Sequence, residues 1–301
     1  MTAANGGGGF LLIFLISTIL IGFPLLQAEF ALGRSAGVSA IKTFGKLGKN
    51  NKYNFIGWIG AFALFILLSF YSVIGGWILV YLGIEFGKLF QLGGTGDYTQ
   101  LFTSIISNPA IALGAQAAFI LLNIFIVSRG VQKGIERASK VMMPLLFIVL
   151  PQLFDKMPFG TIFYVLFLFA TVTSSVVMLE INVDNITNQD NSKRAKWSVI
   201  LEILTFVFGI PSALSYGVMA DVHIFGKTFF DAMDFLVSNL LMPFGALFLS
   251  LFTGYIFKKA LAMEELHLDE RAWKQGLFQV WLFLLRFVIP IIIVVFIAQF
   301  M

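Results

Sequence analysis

Residues Phe169–Glu180 read FATVTSSVVMLE and lie inside a mostly apolar run from Phe159 to Val183. About 20 residues are enough for a helix to cross the hydrocarbon core of a bilayer, so this run is long enough to span one. Thr171, Thr173, Ser174 and Ser175 fall near its middle. Ala170, Thr173 and Ser174 are spaced i, i+3, i+4 and so share one helix face. Two hydroxyls on one stripe at mid-membrane depth offer oxygen ligands to a hard cation such as Na⁺, if main-chain carbonyls of a broken partner helix complete the shell. The structural alternative is that each hydroxyl bonds the carbonyl one turn back and that the small residues let helices pack closely. Spacing alone leaves both readings open.

The same apolar signal recurs along the chain. Spans are expected at Phe10–Leu32, Phe55–Phe86, Ile111–Val127, Phe159–Val183, Trp197–Tyr216, Phe229–Phe257 and Gly276–Met301, with a shorter apolar run at Val141–Phe154 that contains Pro144 and Pro151. Of the 301 residues, 58% are hydrophobic and only 12% charged. Runs of this length exceed what a soluble core needs. The fold class is therefore all-α: a polytopic helical membrane protein with about eight transmembrane helices and the lipid bilayer as its surroundings. The chain has no cysteine, which excludes disulfides, thiolate metal sites and a cysteine nucleophile. Its two histidines, His223 and His267, stand too far apart in sequence to form a metal-ligand pair. Nothing points to a nucleic-acid partner, and the oligomeric state is not encoded in these patterns.

Charge fixes the orientation. Sixteen of the 20 Lys and Arg fall in alternate loops, from Arg34–Lys52, Arg129–Lys140 and Lys193–Lys196 to Lys258–Lys274, whereas Lys88, Lys156 and Lys227 lie on the other side and Arg286 lies within a span. The positive-inside rule makes the first set cytoplasmic. The alternation requires two crossings between Lys140 and Lys193, so Val141–Phe154 has to reach the outer side although it is short. Both termini are then outside. The Asn185-Ile186-Thr187 sequon falls on the cytoplasmic side, where it is no glycosylation acceptor.

Several motifs in order resemble the neurotransmitter:sodium symporters, most closely bacterial amino-acid transporters. They are NGGGGF at Asn5–Phe10, GFPLLQAEFALGR at Gly22–Arg34, SRGVQKGIERASKVMMP at Ser128–Pro144, ATVTSS at Ala170–Ser175, DAMDF at Asp231–Phe235 and RFVIP at Arg286–Pro290. The likeness covers essentially the whole chain. It implies a LeuT-type inverted-repeat fold in the inner (plasma) membrane, with residues 1–150 from the first repeat and 151–301 from the second plus a peripheral helix. It implies Na⁺-coupled amino-acid symport and no enzymatic activity. By the resemblance, Ala170, Thr173 and Ser174 supply the helix-eight share of a sodium site. Leu67, Tyr71, Ser175 and Met178 match substrate-contacting positions, Tyr71 meeting the substrate carboxylate. Asp234 matches an outer-gate acid, the cytoplasmic gate acid falls at Asn188 with Asp190 nearby, and Arg286 sits on a peripheral helix where a structural pairing is expected.

The departures bear on activity. Met1 falls at the outer end of the family's broken first helix, so that half-helix is expected to be absent. After Leu150 the sequence continues as LPQLFDKMPFG, which resembles the end of the family's fourth extracellular loop; helices six and seven are therefore missing. The expectation is a truncated, transport-inactive chain. The alternatives are a carrier completed by oligomerisation or a complementing chain, and an intramembrane aspartyl protease suggested by Gly94-Thr95-Gly96-Asp97. The protease needs a second aspartate at membrane depth, and the sequence offers no Tyr-Asp partner. The topology is directly testable: a cysteine at Lys49 should react with an impermeant thiol reagent only after permeabilisation, and ready labelling in intact cells would overturn it.

Overall fold

A computed structural model describes residues 7–89, 98–128, 159–188, 190–268 and 272–300. Its helices are α1 (Gly8–Ala36), α2 (Ala40–Leu47), α3 (Asn54–Leu89), α4 (Tyr98–Ser107), α5 (Pro109–Ser128), α6 (Phe159–Thr187) and α7 (Asn191–Leu214). A two-residue hairpin of β1 (His223–Ile224) and β2 (Lys227–Thr228) leads into α8 (Phe229–Ile256). α9 (Lys259–Glu265) and α10, built from Ala272–Phe283, Leu284–Val288 and Ile289–Ala298, complete the chain. Among the described residues, 7 helices are long and apolar enough to cross a membrane, namely α1, α3, α5, α6, α7, α8 and α10. The short run Val141–Phe154, the join at Leu150–Pro151 and the Gly94–Asp97 motif lie outside the described residues.

Three of these helices carry proline in mid-course and remain continuous. Pro24, Pro243 and Pro290 each follow directly on a π-turn, at Thr18–Gly22, Leu236–Leu241 and Leu284–Val288 respectively. Proline cannot donate to the helix ladder, and its ring collides with the carbonyl four residues back. A wider turn absorbs one extra residue and relieves both problems without ending the helix. A fourth π-turn, Phe252–Ile256, closes α8 before the chain leaves helical geometry at Phe257.

Two compact units result, Met1–Ala61 with Ser238–Met301, and Phe62–Val237. In the first, Leu32, Phe44, Phe252, Phe278, Trp281 and Leu285 form the buried core. Trp281 Nε1 donates to the Pro24 carbonyl at 3.1 Å and Ser250 Oγ to the Leu285 carbonyl at 2.5 Å. Arg286 has the structural pairing its peripheral position suggests. Its Nε donates to the Gly254 carbonyl at 2.6 Å, and its guanidinium lies 5.3 Å from the centre of the Tyr255 ring.

The second unit brings α3, α5 and α7 together through glycine, and the turn after α7 against α4. A Cβ on Gly76 would lie 2.7 Å from the backbone of Ala115 and Gln116, one on Gly209 2.5 Å from the Ser69 carbonyl, and one on Gly217 2.6 Å from the Ser107 carbonyl. Lipid offers no hydrophobic drive between helices, so close backbone approach at small residues supplies the packing. Gly76→Ala should therefore cost about 1–3 kcal/mol by overpacking. Gly83→Ala on the same helix, where a Cβ meets nothing within 4 Å, should be neutral or gain about 0.5–1 kcal/mol. Thermal unfolding of the two variants in detergent checks the contrast.

Candidate functional site

α6 has two unlike faces. Ala170 and Ser174 are exposed and Thr173 is half-buried, whereas Thr171, Val172, Ser175, Val176 and Leu179 are buried. Ala170, Thr173 and Ser174 thus share one stripe, as their spacing requires. The stripe is closed on itself. Thr173 Oγ1 shares its proton between the carbonyls of Phe169 and Ala170, both at 2.9 Å, and Ser174 Oγ donates to the Ala170 carbonyl at 3.0 Å. A carbonyl oxygen has two lone pairs; that of Ala170 receives two hydroxyls besides its place in the helix ladder. The hydroxyl oxygens keep lone pairs for a cation, but the carbonyl is already well engaged.

Ser175 turns the other way. It is fully buried, and its Oγ lies 2.9 Å from the Val172 carbonyl and 2.8 Å from Asn123 Oδ1 of α5. Met178, half-buried, packs on the cluster of Leu68, Phe119, Val172, Val176 and Leu179. On α3, Leu67 and Tyr71 are half-buried at i, i+4, and the Tyr71 hydroxyl makes no hydrogen bond among the described residues. Asp234 is exposed one turn into α8.

Asp231 builds the start of that helix. Thr228 Oγ1 donates to Asp231 Oδ2 at 2.7 Å and Tyr216 Oη to Asp231 Oδ1 at 3.2 Å. Burial first, and then the Asp231 charge, push the Tyr216 phenol up to about 12. At the opposite end of the unit, Asn188 ends α6 with φ 51° and Asp190 caps α7, its Oδ1 accepting from Ser192 N at 3.0 Å. Hydrogen bonds from Ser192 and Lys193 hold the Asp190 carboxyl below its ordinary value.

Sequence reasoning missed the ion pairs beside this junction. Arg194, in the first turn of α7, bonds Glu180 and lies 3.8 Å from Asp184, two acids one turn apart on α6. The i, i+4 acids facing a basic first turn across a short connection were the available signal. Asn123 as the partner of Ser175 was missed too, because the register between helices cannot be read along one chain.

A model of the sodium:neurotransmitter symporter family matches residues 1–92. The uncharacterized sodium-dependent transporter YhdH of Bacillus subtilis is 36% identical over 408 aligned positions, covering 98% of this chain and 90% of the relative. A sodium-dependent transporter of Haemophilus influenzae is 23% identical over 98% of this chain and 91% of its own. The crystal structure of MhsT in complex with L-phenylalanine superposes with a TM-score of 0.85 at 27% identity, over 98% of this chain and 92% of that one. The fold is thus that of a helical membrane transporter of the LeuT type. The chain belongs to the sodium:neurotransmitter symporter family.

The two faces of α6 predict opposite mutational costs. Ser175→Ala leaves buried Asn123 Oδ1 without its donor and should cost about 1–2 kcal/mol. Ser174→Ala removes only a local back-bond on an exposed face and should stay within about 0.5 kcal/mol of wild type. Thermal unfolding in one detergent reads both.

Proposed function

We propose that this chain descends from a sodium-coupled amino-acid symporter and does not complete transport by itself. The observation that carries this is that the stripe on α6 stays open: Ala170 and Ser174 are exposed, and among the described residues Thr173 and Ser174 bond only carbonyls of their own helix. A Na⁺ shell at mid-membrane needs roughly five or six oxygens, by analogy with other hard cations. This face offers at most three, so the others have to come from a segment that does not cover it.

The alignment supports the same reading. It runs over 408 positions, while the chain supplies at most 301, so at least 107 positions of it fall opposite no residue of this chain. A gap of that size fits the loss of helices six and seven at Leu150–Pro151. We retain residues 1–150 and 151–301 as what remains of the two repeats. Alternating access needs one repeat to rock against the other around a midplane site, and a chain without helices six and seven lacks much of the moving part.

Within the ancestral site, the roles are those that the family resemblance implies. The free Tyr71 hydroxyl suits a substrate carboxylate, Leu67 and Met178 an apolar side chain, and Ser175 the polar wall beneath. Ala170, Thr173 and Ser174 are the sodium share, and Asp234 is a gate acid at the outer end. That MhsT was crystallised with L-phenylalanine supports an amino acid as the substrate class.

Uptake of a radiolabelled amino-acid pool by the purified chain in liposomes, with Na⁺ or K⁺ outside, tests the proposal. No Na⁺-dependent accumulation is expected, and Thr173→Val should change nothing. Accumulation that requires Na⁺ and disappears in Thr173→Val would overturn it.

A further inference from the structure

The centre of the second unit holds a carboxylic acid that the transport reading does not use. Glu202 is the eleventh residue of the 23-residue span Ser192–Leu214 and is 0% exposed. Neither of its oxygens has a hydrogen-bond partner among the described residues. Thr205, on the same face three residues on, is likewise 0% exposed with its Oγ1 unbonded.

The helix opposite supplies a matching donor. α5 and α7 run antiparallel: Gly209 of α7 lies against Gln116 of α5, and Gly217, just beyond α7, lies against Ser107, just before α5. Two turns further along α5 from Gln116 is Asn123, and two turns back along α7 from Gly209 is Glu202. The register therefore sets Asn123 opposite Glu202. Asn123 is 0% exposed; its Oδ1 is taken by Ser175 at 2.8 Å, and its Nδ2 is unbonded. A buried amide donor thus stands at the same level of the bundle as a buried carboxyl, the two not being bonded to each other in this structure.

No cation is placed to balance that carboxyl. α5 contributes no ionisable residue, and on α6 Glu180 and Asp184 are taken by Arg194, two turns back from Glu202 on α7 itself. The remaining ionisable groups of the helices packed around are Tyr164 on α6, Tyr71, Tyr81 and Glu85 on α3, and Asp231 and Asp234 at the start of α8; the basic residues stand at helix ends, Lys193 and Lys196 in the first turns of α7 and Lys88 in the last turn of α3. An isolated carboxylate in hydrocarbon-like surroundings is far costlier than the neutral acid. The two forms also differ in what they satisfy. A carboxylate only accepts, whereas the acid accepts at one oxygen and donates from the other.

We propose that Glu202 is a proton-binding site at the centre of the α3–α5–α6–α7 unit, its carboxyl held neutral with the Asn123 amide donating to it and the Thr205 hydroxyl oxygen accepting its proton. These two bonds, which the structure leaves unmade, would satisfy the amide and the hydroxyl with one proton and leave no charge at the centre of the span. The Ser175–Asn123 bond then links this site to the buried face of the helix whose other face carries Thr173 and Ser174. The proton is a ligand distinct from the sodium of that exposed stripe.

Infrared difference spectroscopy of the full chain in lipid bilayers, wild type minus Glu202→Gln, tests it at neutral pH. The expected signal is the carbonyl stretch of a protonated carboxylic acid, moving on exchange into heavy water and unchanged when K⁺ is replaced by Na⁺. A carboxylate pair of bands in its place, or an acid band that vanishes on adding Na⁺, would overturn the proposal, the latter making Glu202 a metal-cation site. Should Glu202→Gln fail to fold, Asn123→Ala and Thr205→Val serve instead. Each should move the acid band of the intact Glu202 toward the position of a carboxyl with one hydrogen bond fewer, and a wild-type spectrum in both would equally overturn it.

Discussion

Inside a bilayer no water is available to an unpaired backbone group, and this constraint organises the molecule. It explains why proline in α1, α8 and α10 comes with a π-turn. The carbonyls that a proline would orphan are redistributed over a wider turn. It also explains how an arginine is tolerated in a span. The Gly254 carbonyl belongs to the π-turn Phe252–Ile256, where ladder geometry is loosened, and Arg286 caps it at 2.6 Å. Gly254 has no side chain, and a Cβ there would lie 2.9 Å from Arg286 Cγ; the cation is accommodated because glycine leaves the space.

The same rule governs the hydroxyls. Thr18, Thr171, Thr173, Ser174, Thr187 and Thr253 all donate to the carbonyl four residues back. A hydroxyl in a membrane helix thus has a default partner on its own backbone. Binding a cation at Thr173 and Ser174 does not require breaking those bonds, since the lone pairs lie on the other side of each oxygen. It requires a second wall of oxygens, and that wall is a property of the neighbouring segment rather than of α6.

The helical spans were legible because twenty apolar residues have few other uses, and their boundaries were less so. Trp197 is where hydropathy begins, but α7 starts at Asn191, because Asp190 caps a helix whose first turns are polar. Phe10–Leu32 is the apolar part of a helix that runs to Ala36 and ends where Gly37 takes φ 57°. Hydropathy finds the part of a helix in lipid, and capping finds the helix. The stripe Ala170–Thr173–Ser174 was legible for the same reason that it is local: three positions on one helix obey one periodicity. Ser175 beside Asn123, and Arg194 beside Glu180, depend on the register between helices, which a single chain read in order does not show.

Gly76 and Gly209 join the two halves of the argument. The close approach they permit makes the interface of α3, α5 and α7 tight enough to bury Gln116, Asn123, Glu202 and Thr205 completely. Gln116 Nε2 reaches Ser72 Oγ at 3.1 Å, and Ser72 in turn donates to the Ser69 carbonyl at 2.7 Å. The cross-helix bonds of Gln116 to Ser72 and of Ser175 to Asn123 favour one register, because a slip would break both at once. A looser interface would admit lipid or water and relax that specification. The α3–α5–α7 interface is thus held in register by polar groups packed against glycine, while Ser174 of α6 lies exposed on a face that this packing does not cover.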